Sequence, residues 1–194
     1  MIPHSSSARP DFPALVVPGI GNSGPFHWQT LWEQRHQLWR RVLQHDWDYP
    51  VCDEWVAALE EAITGFAAAP VVIAHSIGCL AVAHWTSRTS APVRAAFMVA
   101  VPDPDGPKFP ATAHGFVPVP LKRFPFPSLV VASTDDPFGS IAHAHRCAAA
   151  WGGTFVTIGS AGHINVESGH GEWPAGWHLL ERLLRSADLA DRPR

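Results

Sequence analysis

The sequence predicts an α/β fold in which a mostly parallel sheet of about six strands carries helices on both faces. Short apolar runs alternate along the chain with segments whose apolar residues have helical spacing. The strand candidates, such as VVIA and FMVAV, are almost continuously apolar, which is typical of strands buried on both faces of a parallel sheet. The chain has 194 residues, 46% of them hydrophobic and 16% charged, so one globular domain is expected.

The first third of the chain predicts a strand, a helix and a weaker strand. Ala14–Gly19 is a short apolar run that ends at a proline and a glycine. A helix over Gln29–Leu38 would place three tryptophans on a common face, Trp28, Trp32 and Trp39. The run RRVLQHD, residues 40–46, is a weaker strand candidate.

The middle of the chain predicts a helix, a strand and a second helix in succession. Asp53–Phe66 has the apolar spacing of an amphipathic helix and begins with an acidic turn. VVIA, residues 71–74, then reads as a buried strand. IGCLAVAHWTS, residues 77–87, resumes helical spacing, so Ser76 is expected where the strand turns into the helix.

The C-terminal half predicts three further strands and two helices. The strands are Val93–Pro102, Pro127–Ser133 and Thr154–Gly159, and the helices are Ile141–Trp151 and Trp177–Leu184.

The proline-rich segment 102–126 is too long for an ordinary connection and is expected to form a rim or lid over one end of the sheet. The domain is expected to span residues 13–187, with a flexible lead at 1–12 and a flexible tail at 188–194.

Charge, hydropathy and cysteine count exclude several classes of protein. The net charge of −3 shows no basic excess, so a nucleic-acid partner is not expected. No apolar run approaches the length of about 20 residues that spans a bilayer. Three widely spaced cysteines, an odd number, argue against a disulfide scaffold, and the first 13 residues lack the apolar stretch of a secretory signal. A cytoplasmic enzyme or binding domain is therefore expected.

Ser76 lies in a pattern that has a known chemical use. Ala74-His75-Ser76-Ile77-Gly78 matches the nucleophile elbow G-x-S-x-G, with alanine at the first glycine position. Small flanking residues suit the tight strand-to-helix turn that exposes such a serine. The pattern alone fits a helix-capping serine equally well, because serine is a favoured N-cap residue. A base and an orienting acid must therefore be found elsewhere in the chain.

Two later strand ends supply candidates for the acid and the base. Asp135 and Asp136 follow the strand Pro127–Ser133, and the sequence leaves open which of them is the acid, with Asp136 preferred. His163 follows Gly162 just after the last strand, and His170 is a competing base further from the strand end. The chain order serine, aspartate, histidine is that of the α/β-hydrolase triad.

Backbone N–H groups at two turns are candidates for an oxyanion hole. Ile77 N–H lies at the start of the helix after Ser76, where the helix dipole favours negative charge. A second donor, Ile20 or Gly21, is expected in the glycine-rich loop PGIGNSG. That loop also resembles a dinucleotide fingerprint, with Asp46 or Asp48 as the acidic partner, but this interpretation leaves the serine, aspartate and histidine unexplained.

A metal site is not expected. His143 and His145 lie two residues apart on a predicted helix, which points their side chains to different faces.

Four segments together resemble the small serine hydrolases related to retinoblastoma-binding protein 9, a family of α/β-hydrolases. They are VVPGIGNSGPFHWQ, VVIAHSIGC, VVASTDDPF and AGHINVESGHGEWPAG, and the resemblance extends from about Leu15 to Leu184. It implies a single-domain α/β-hydrolase fold with Ser76 as nucleophile, Asp136 as orienting acid and His163 as base. It also implies hydrolysis of a small carboxylic ester without a cofactor.

Four further side chains are candidates for the substrate pocket: His27, Trp28, Phe109 and Trp173. For the tryptophans, core packing is the alternative. A binding module that keeps the hydrolase fold, and an amidase, thioesterase or transacylase on the same triad, remain alternative functions. Whether the chain has a protein partner is left open by the sequence.

Overall fold

Six strands form one all-parallel sheet in the computed structural model, which describes residues 11–89 and 91–190. In spatial order the sheet runs β2-β1-β3-β4-β5-β6. The strands are β1 (Ala14–Val17), β2 (Trp39–Arg41), β3 (Val71–His75), β4 (Ala95–Val99), β5 (Ser128–Ala132) and β6 (Thr154–Thr157). The predicted fold class is confirmed. Because all the strands are parallel, their carboxyl ends meet at a single edge of the sheet.

Within the described residues, five helices cover the two faces of this sheet. The helices are α1 (Trp28–Glu33), α2 (Cys52–Thr64), α3 (Ile77–Arg88), α4 (Ile141–Trp151) and α5 (Pro174–Ala190). Helices α2, α3 and α4 share one apolar cluster, and α1 and α5 share the other. Successive strand residues point to opposite faces. In β1, Leu15 and Val17 therefore belong to the first cluster, and Ala14 and Val16 to the second.

Helix α1 and strand β2 are shorter than the sequence predicts. After Glu33 the backbone tightens, and the N–H groups of Arg35 and His36 bond to carbonyls three residues earlier. This turn places the His36 ring against Trp39, with ring centroids 4.6 Å apart. The tryptophans therefore share a core cluster, but Trp39 reaches it from an edge strand and not from the helix.

Helix α5 is longer than predicted and begins at Pro174 instead of Trp177. Proline is tolerated there because a first-turn N–H has no intrahelical partner. At the other end the helix continues to Ala190, and Asp188 forms an ion pair with Arg94. The folded region thus passes the expected boundary at 187, and residues 191–194 lie outside the described residues.

Two residues of the expected flexible lead 1–12, Asp11 and Phe12, contact the folded chain. Phe12 is buried and packs against Trp39 with ring centroids 5.5 Å apart. The Asp11 carboxylate accepts a hydrogen bond from the backbone N–H of Leu38. The rest of the predicted lead, residues 1–10, lies outside the described residues.

The proline-rich segment 102–126 packs onto the domain at several points. His114 exchanges backbone hydrogen bonds with the chain just before and at the start of α2, accepting from Cys52 N–H and donating to Pro50. Phe116 is buried against α2, and Phe124 stacks on Trp151 of α4 at 5.0 Å. Pro102 and Pro110 of this segment line the same cavity as Ser76.

No helix among the described residues is both long enough and apolar enough to cross a bilayer.

Candidate active site

Ser76 occupies a strained turn between β3 and α3. Its φ is 55° and its ψ is −132°, a conformation that non-glycine residues adopt only when the surrounding structure enforces it. The turn is held by a hydrogen bond from Ser76 N–H to Val99 O at 3.0 Å. The side chain therefore projects from the carboxyl edge of the sheet at the N-terminus of a 12-residue helix.

Close backbone approach explains the small residues around this serine. A Cβ at Gly78 would lie 2.5 Å from Val17 O, and a Cβ at Gly19 would lie 2.7 Å from Ser76 Cβ. Both glycines are therefore sterically required. Ala74, in contrast, lies within the regular strand β3 with its side chain in the core, so a methyl group fits at that position.

The structure brings the predicted serine, histidine and aspartate together. His163 Nε2 lies 2.9 Å from Ser76 Oγ. Its Nδ1 lies 2.9 and 3.0 Å from the two carboxylate oxygens of Asp136. The Asp136 side chain is 3% exposed, and Phe138 N–H donates to it at 2.9 Å. This geometry lets the imidazole accept the serine proton while the carboxylate holds Nδ1–H.

Asp135 has a different position from Asp136. Its Oδ1 accepts hydrogen bonds from Ser133 Oγ and from the backbone N–H groups of Ala161 and Gly162. These bonds, the one from Ser133 first, lower the pKa of the Asp135 carboxyl. Asp135 therefore anchors the loop that carries His163, and Asp136 is the carboxylate that contacts the imidazole.

The alternative base His170 contacts a different partner. Its Nδ1 lies 3.3 Å from Ser168 Oγ, and its backbone N–H donates to Asn165.

Two of the backbone N–H groups beside Ser76 are without a hydrogen-bond partner among the described residues. Ile77 and Ile20 both line the cavity, and their N–H groups make no hydrogen bond within residues 11–89 and 91–190. Gly21, the other predicted donor, donates to Trp47 O at 2.9 Å and does not line the cavity. Gly21 is therefore the wrong choice of the two, because its N–H closes the turn of the loop.

Residues that the dinucleotide-binding interpretation would need have other local contacts in the structure. Gly19 faces Ser76, and the Asp46 carboxylate closes a turn by accepting from the N–H groups of Asp48 and Tyr49.

Ser76 and His163 open into a small cavity of about 210 Å³. Sites for drug-sized ligands occupy about 300–1,000 Å³, so this cavity suits a small group. Its apolar wall comes from the loop after β1, the start of α3, the proline-rich segment and the loop after β5. The residues of that wall are Ile20, Ile77, Pro102, Pro110 and Phe138.

Of the four predicted pocket side chains, only His27 lines this cavity. Trp28 is fully buried, and its Nε1–H donates to Ile164 O at 2.9 Å, beneath the loop of His163. Trp173 packs against Trp28 with ring centroids 5.1 Å apart. Phe109 packs against the core beside Phe116. These three residues support the walls and do not face the cavity.

Several cavity residues had no role predicted from the sequence, among them His75, Phe138, Asn165 and Glu167. The Phe138 ring lies 4.6 Å from that of His163. The position of His75 directly before the elbow serine could have indicated from the sequence that it lies near the site.

Histidine burial is expected to make the protein acid-sensitive. Desolvation is the largest cause that lowers the pKa of four histidines, His27 to about 4 and His75, His84 and His143 below their ordinary 6.5. As the pH falls below 6.5, these four histidines therefore bind protons in the unfolded chain at a higher pH than in the folded one. We expect stability to be full above that pH and to fall below it, by up to about 1.4 kcal/mol per histidine per pH unit.

Urea unfolding at pH 8, 7, 6 and 5 measures this loss. His84→Gln removes one of the four groups and is expected to flatten the pH dependence. Equal free energies of unfolding at pH 8 and pH 5 would contradict the prediction.

The chain matches the model of a protein family described as serine hydrolase over residues 14–182. No protein of curated function matches the chain at a significant level.

Among solved structures, the chain is 30% identical to a protein from Pectobacterium atrosepticum described as a YdeN-like hydrolase, with a TM-score of 0.78 and 92% of each chain covered. The ydeN gene product of B. subtilis is 15% identical, with a TM-score of 0.73, and the match covers 90% of this chain and 99% of that one. An esterase from Thermogutta terrifontis is 14% identical, with a TM-score of 0.68 and coverage of 91% and 90%. The last two likenesses show the fold alone.

Proposed function

Because the chain belongs to the serine hydrolase family, we propose that it hydrolyses a small carboxylic ester through an acyl-enzyme formed on Ser76. The observation that carries the proposal is the continuous contact from Ser76 Oγ through the His163 imidazole to the Asp136 carboxylate. A serine without such a partner is a poor nucleophile.

In the proposed acylation, Ser76 Oγ attacks the ester carbonyl while His163 Nε2 takes the hydroxyl proton. The Ile77 and Ile20 N–H groups stabilise the oxyanion of the tetrahedral intermediate. The ester C–O bond then breaks, and His163 gives its proton to the departing alkoxide. Asp136 accepts from Nδ1–H throughout, which stabilises the imidazolium and keeps Nε2 directed at the reacting atoms.

Deacylation repeats these steps with water. His163 takes a proton from water as the oxygen attacks the acyl carbonyl. The tetrahedral intermediate collapses, the bond to Ser76 Oγ breaks, and His163 returns the proton to that oxygen. The carboxylic acid leaves and the serine is regenerated.

The cavity supports a short substrate. Its volume of about 210 Å³ and its wall of isoleucine, proline and phenylalanine suit a few apolar carbon atoms. A small-molecule ester is therefore the proposed partner. A cytoplasmic location belongs to the same proposal, and the three unpaired, buried cysteines support it.

A fluorophosphonate probe tests the nucleophile directly. We expect mass spectrometry to find the label on Ser76 in the wild type, and none in Ser76→Ala or His163→Ala, because phosphonylation needs both groups. Heat-denatured wild type controls for labelling that does not depend on the fold.

An acyl series of p-nitrophenyl esters, from acetate to decanoate, then tests the size of the substrate. The expected kcat/KM is highest for the short acyl groups. A folded wild type that takes no label and cleaves no ester in the series would remove the proposal. A binding module with the hydrolase fold would then be the better interpretation.

A further inference from the structure

We infer that His75 is a positioning residue that holds the proposed base against the nucleophile by binding the backbone carbonyl of His163. The inference rests on the proposed hydrolysis and assigns a role to a side chain outside the triad. His75 Nε2 lies 2.8 Å from His163 O. A carbonyl oxygen can only accept, so Nε2 carries the proton and donates it.

This bond closes a ring that contains the reacting pair. Ser76 Oγ meets the His163 imidazole at 2.9 Å, and the next residue back along the chain, His75, binds the His163 backbone. Two adjacent residues at the end of β3 thus hold the same histidine, one at its ring and one at its main chain. The ring and backbone of His163 cannot move away from β3 without breaking one of these contacts.

The loop of His163 needs such a restraint. Gly162 has a φ of +54° and Ile164 a φ of 50° on either side of His163. Positive φ is unfavourable for a β-branched residue and persists only where surrounding contacts impose it. The orientation of the His163 carbonyl depends on the torsions next to Ile164, so the His75 bond acts directly on this strained segment.

Four other side-chain hydrogen bonds hold the same loop but act at different points. Asp135 accepts from the N–H groups of Ala161 and Gly162, Ser133 also accepts from Ala161 N–H, and Trp28 donates to the Ile164 carbonyl. None of these bonds reaches His163 itself. His75, in contrast, binds the main chain of the proposed base, and it directly precedes the nucleophile in the chain.

Burial keeps His75 in the form that this role requires. The residue is 5% exposed and is packed between the rings of His27 and His163, each with a centroid 4.9 Å away. Desolvation, with the neighbouring His163 and His27 adding to it, holds the pKa of His75 well below 6.5. The neutral imidazole therefore keeps its single proton on Nε2 near neutral pH.

Two substitutions by side chains of similar length distinguish the effect of the hydrogen bond from the effect of packing. His75→Met fills similar space without a donor, and His75→Gln places an amide N–H near the position of Nε2. We expect His75→Met to lower kcat by about 10²-fold, the effect of a misplacement of about 1 Å, with little change in KM. His75→Gln is expected to recover most of the lost kcat.

His84 provides a matched control on α3. It is also a buried histidine whose Nε2 lies close to a backbone carbonyl, that of Phe116 at 3.1 Å, but it does not line the cavity. His84→Met is expected to lower the melting temperature much as His75→Met does and to leave kcat near that of the wild type. General loss of stability is thereby separated from displacement of His163.

The measurements are kcat and KM on p-nitrophenyl acetate, melting temperatures, and the rate of fluorophosphonate labelling for each variant. His75→Asn, whose amide is too short to reach the carbonyl, replaces His75→Met if that variant does not fold. Wild-type kcat in the variant without a donor, no recovery in His75→Gln, or an equal loss in His84→Met would each overturn the inference. A labelled, active wild type alongside such a result leaves the proposed function standing.

Discussion

Ser76→Ala is expected to lower kcat by about 10⁶-fold, because the proposed covalent intermediate cannot form without the hydroxyl. His163→Ala is expected to cost about as much, since the serine hydroxyl then has no base. The double variant should be hardly worse than either single one. The serine and the histidine act as a unit through the 2.9 Å contact between Oγ and Nε2, and removing one disables the other.

Ester hydrolysis and circular dichroism on the three variants check this expectation. The Ser76→Ala substitution removes only a hydroxyl and keeps the Cβ that the turn already accommodates. A folded Ser76→Ala variant is therefore expected. Hydrolysis at wild-type rates by this variant would show that the reaction takes place elsewhere, and fully additive losses would show that the two groups act separately.

Asp136→Asn is expected to lower kcat by about 10⁴-fold with little change in the fold. The asparagine can still accept the N–H of Phe138, so the local turn is kept. Its amide N–H, however, would face Nδ1 of His163 and favour the tautomer with the proton on Nε2. That imidazole cannot accept the proton of Ser76, so the base is present but in the wrong form.

Asp135→Asn is the matched control, one residue earlier in the chain. The amide oxygen of the introduced asparagine can still accept from Ser133, Ala161 and Gly162, so the loop of His163 keeps its anchor. We expect kcat within about tenfold of the wild type, since these bonds do not touch the imidazole. A larger loss in Asp135→Asn than in Asp136→Asn would reverse the roles of the two aspartates.

Local patterns in the sequence determined the architecture. Continuous apolar runs predicted buried parallel strands, because a strand that is buried on both faces shows no alternation of apolar and polar residues. The helical spacing of apolar residues between these runs predicted the covering helices. The ends of α1, β2 and α5 were among the exceptions. An edge strand of three residues has little pattern to detect, and Pro174 lies at the start of a helix, where a proline can also signal a boundary.

The order Ser76, Asp136 and His163 along the chain predicted which residue types would meet at the carboxyl edge of the sheet. Only the tertiary structure distinguished neighbours with the same chemistry. Asp135 and Asp136 have the same side chain, but the Asp135 carboxylate faces backbone N–H groups and the Asp136 carboxylate faces the imidazole. Ile20 and Gly21 are adjacent in one loop, but the N–H of Gly21 is bonded to Trp47.

The cavity wall was the part that sequence could least determine. Trp28, Phe109 and Trp173 are large apolar residues near the site in sequence, yet each packs inward, where aromatic side chains bury the most surface. His75 is adjacent to Ser76 in the sequence, but its hydrogen-bond partner, the carbonyl of His163, is 88 residues away along the chain. Local spacing determines strands, helices and the chain order of reactive groups. Which side of a residue faces the site depends on contacts between distant segments, and those exist only in the folded chain.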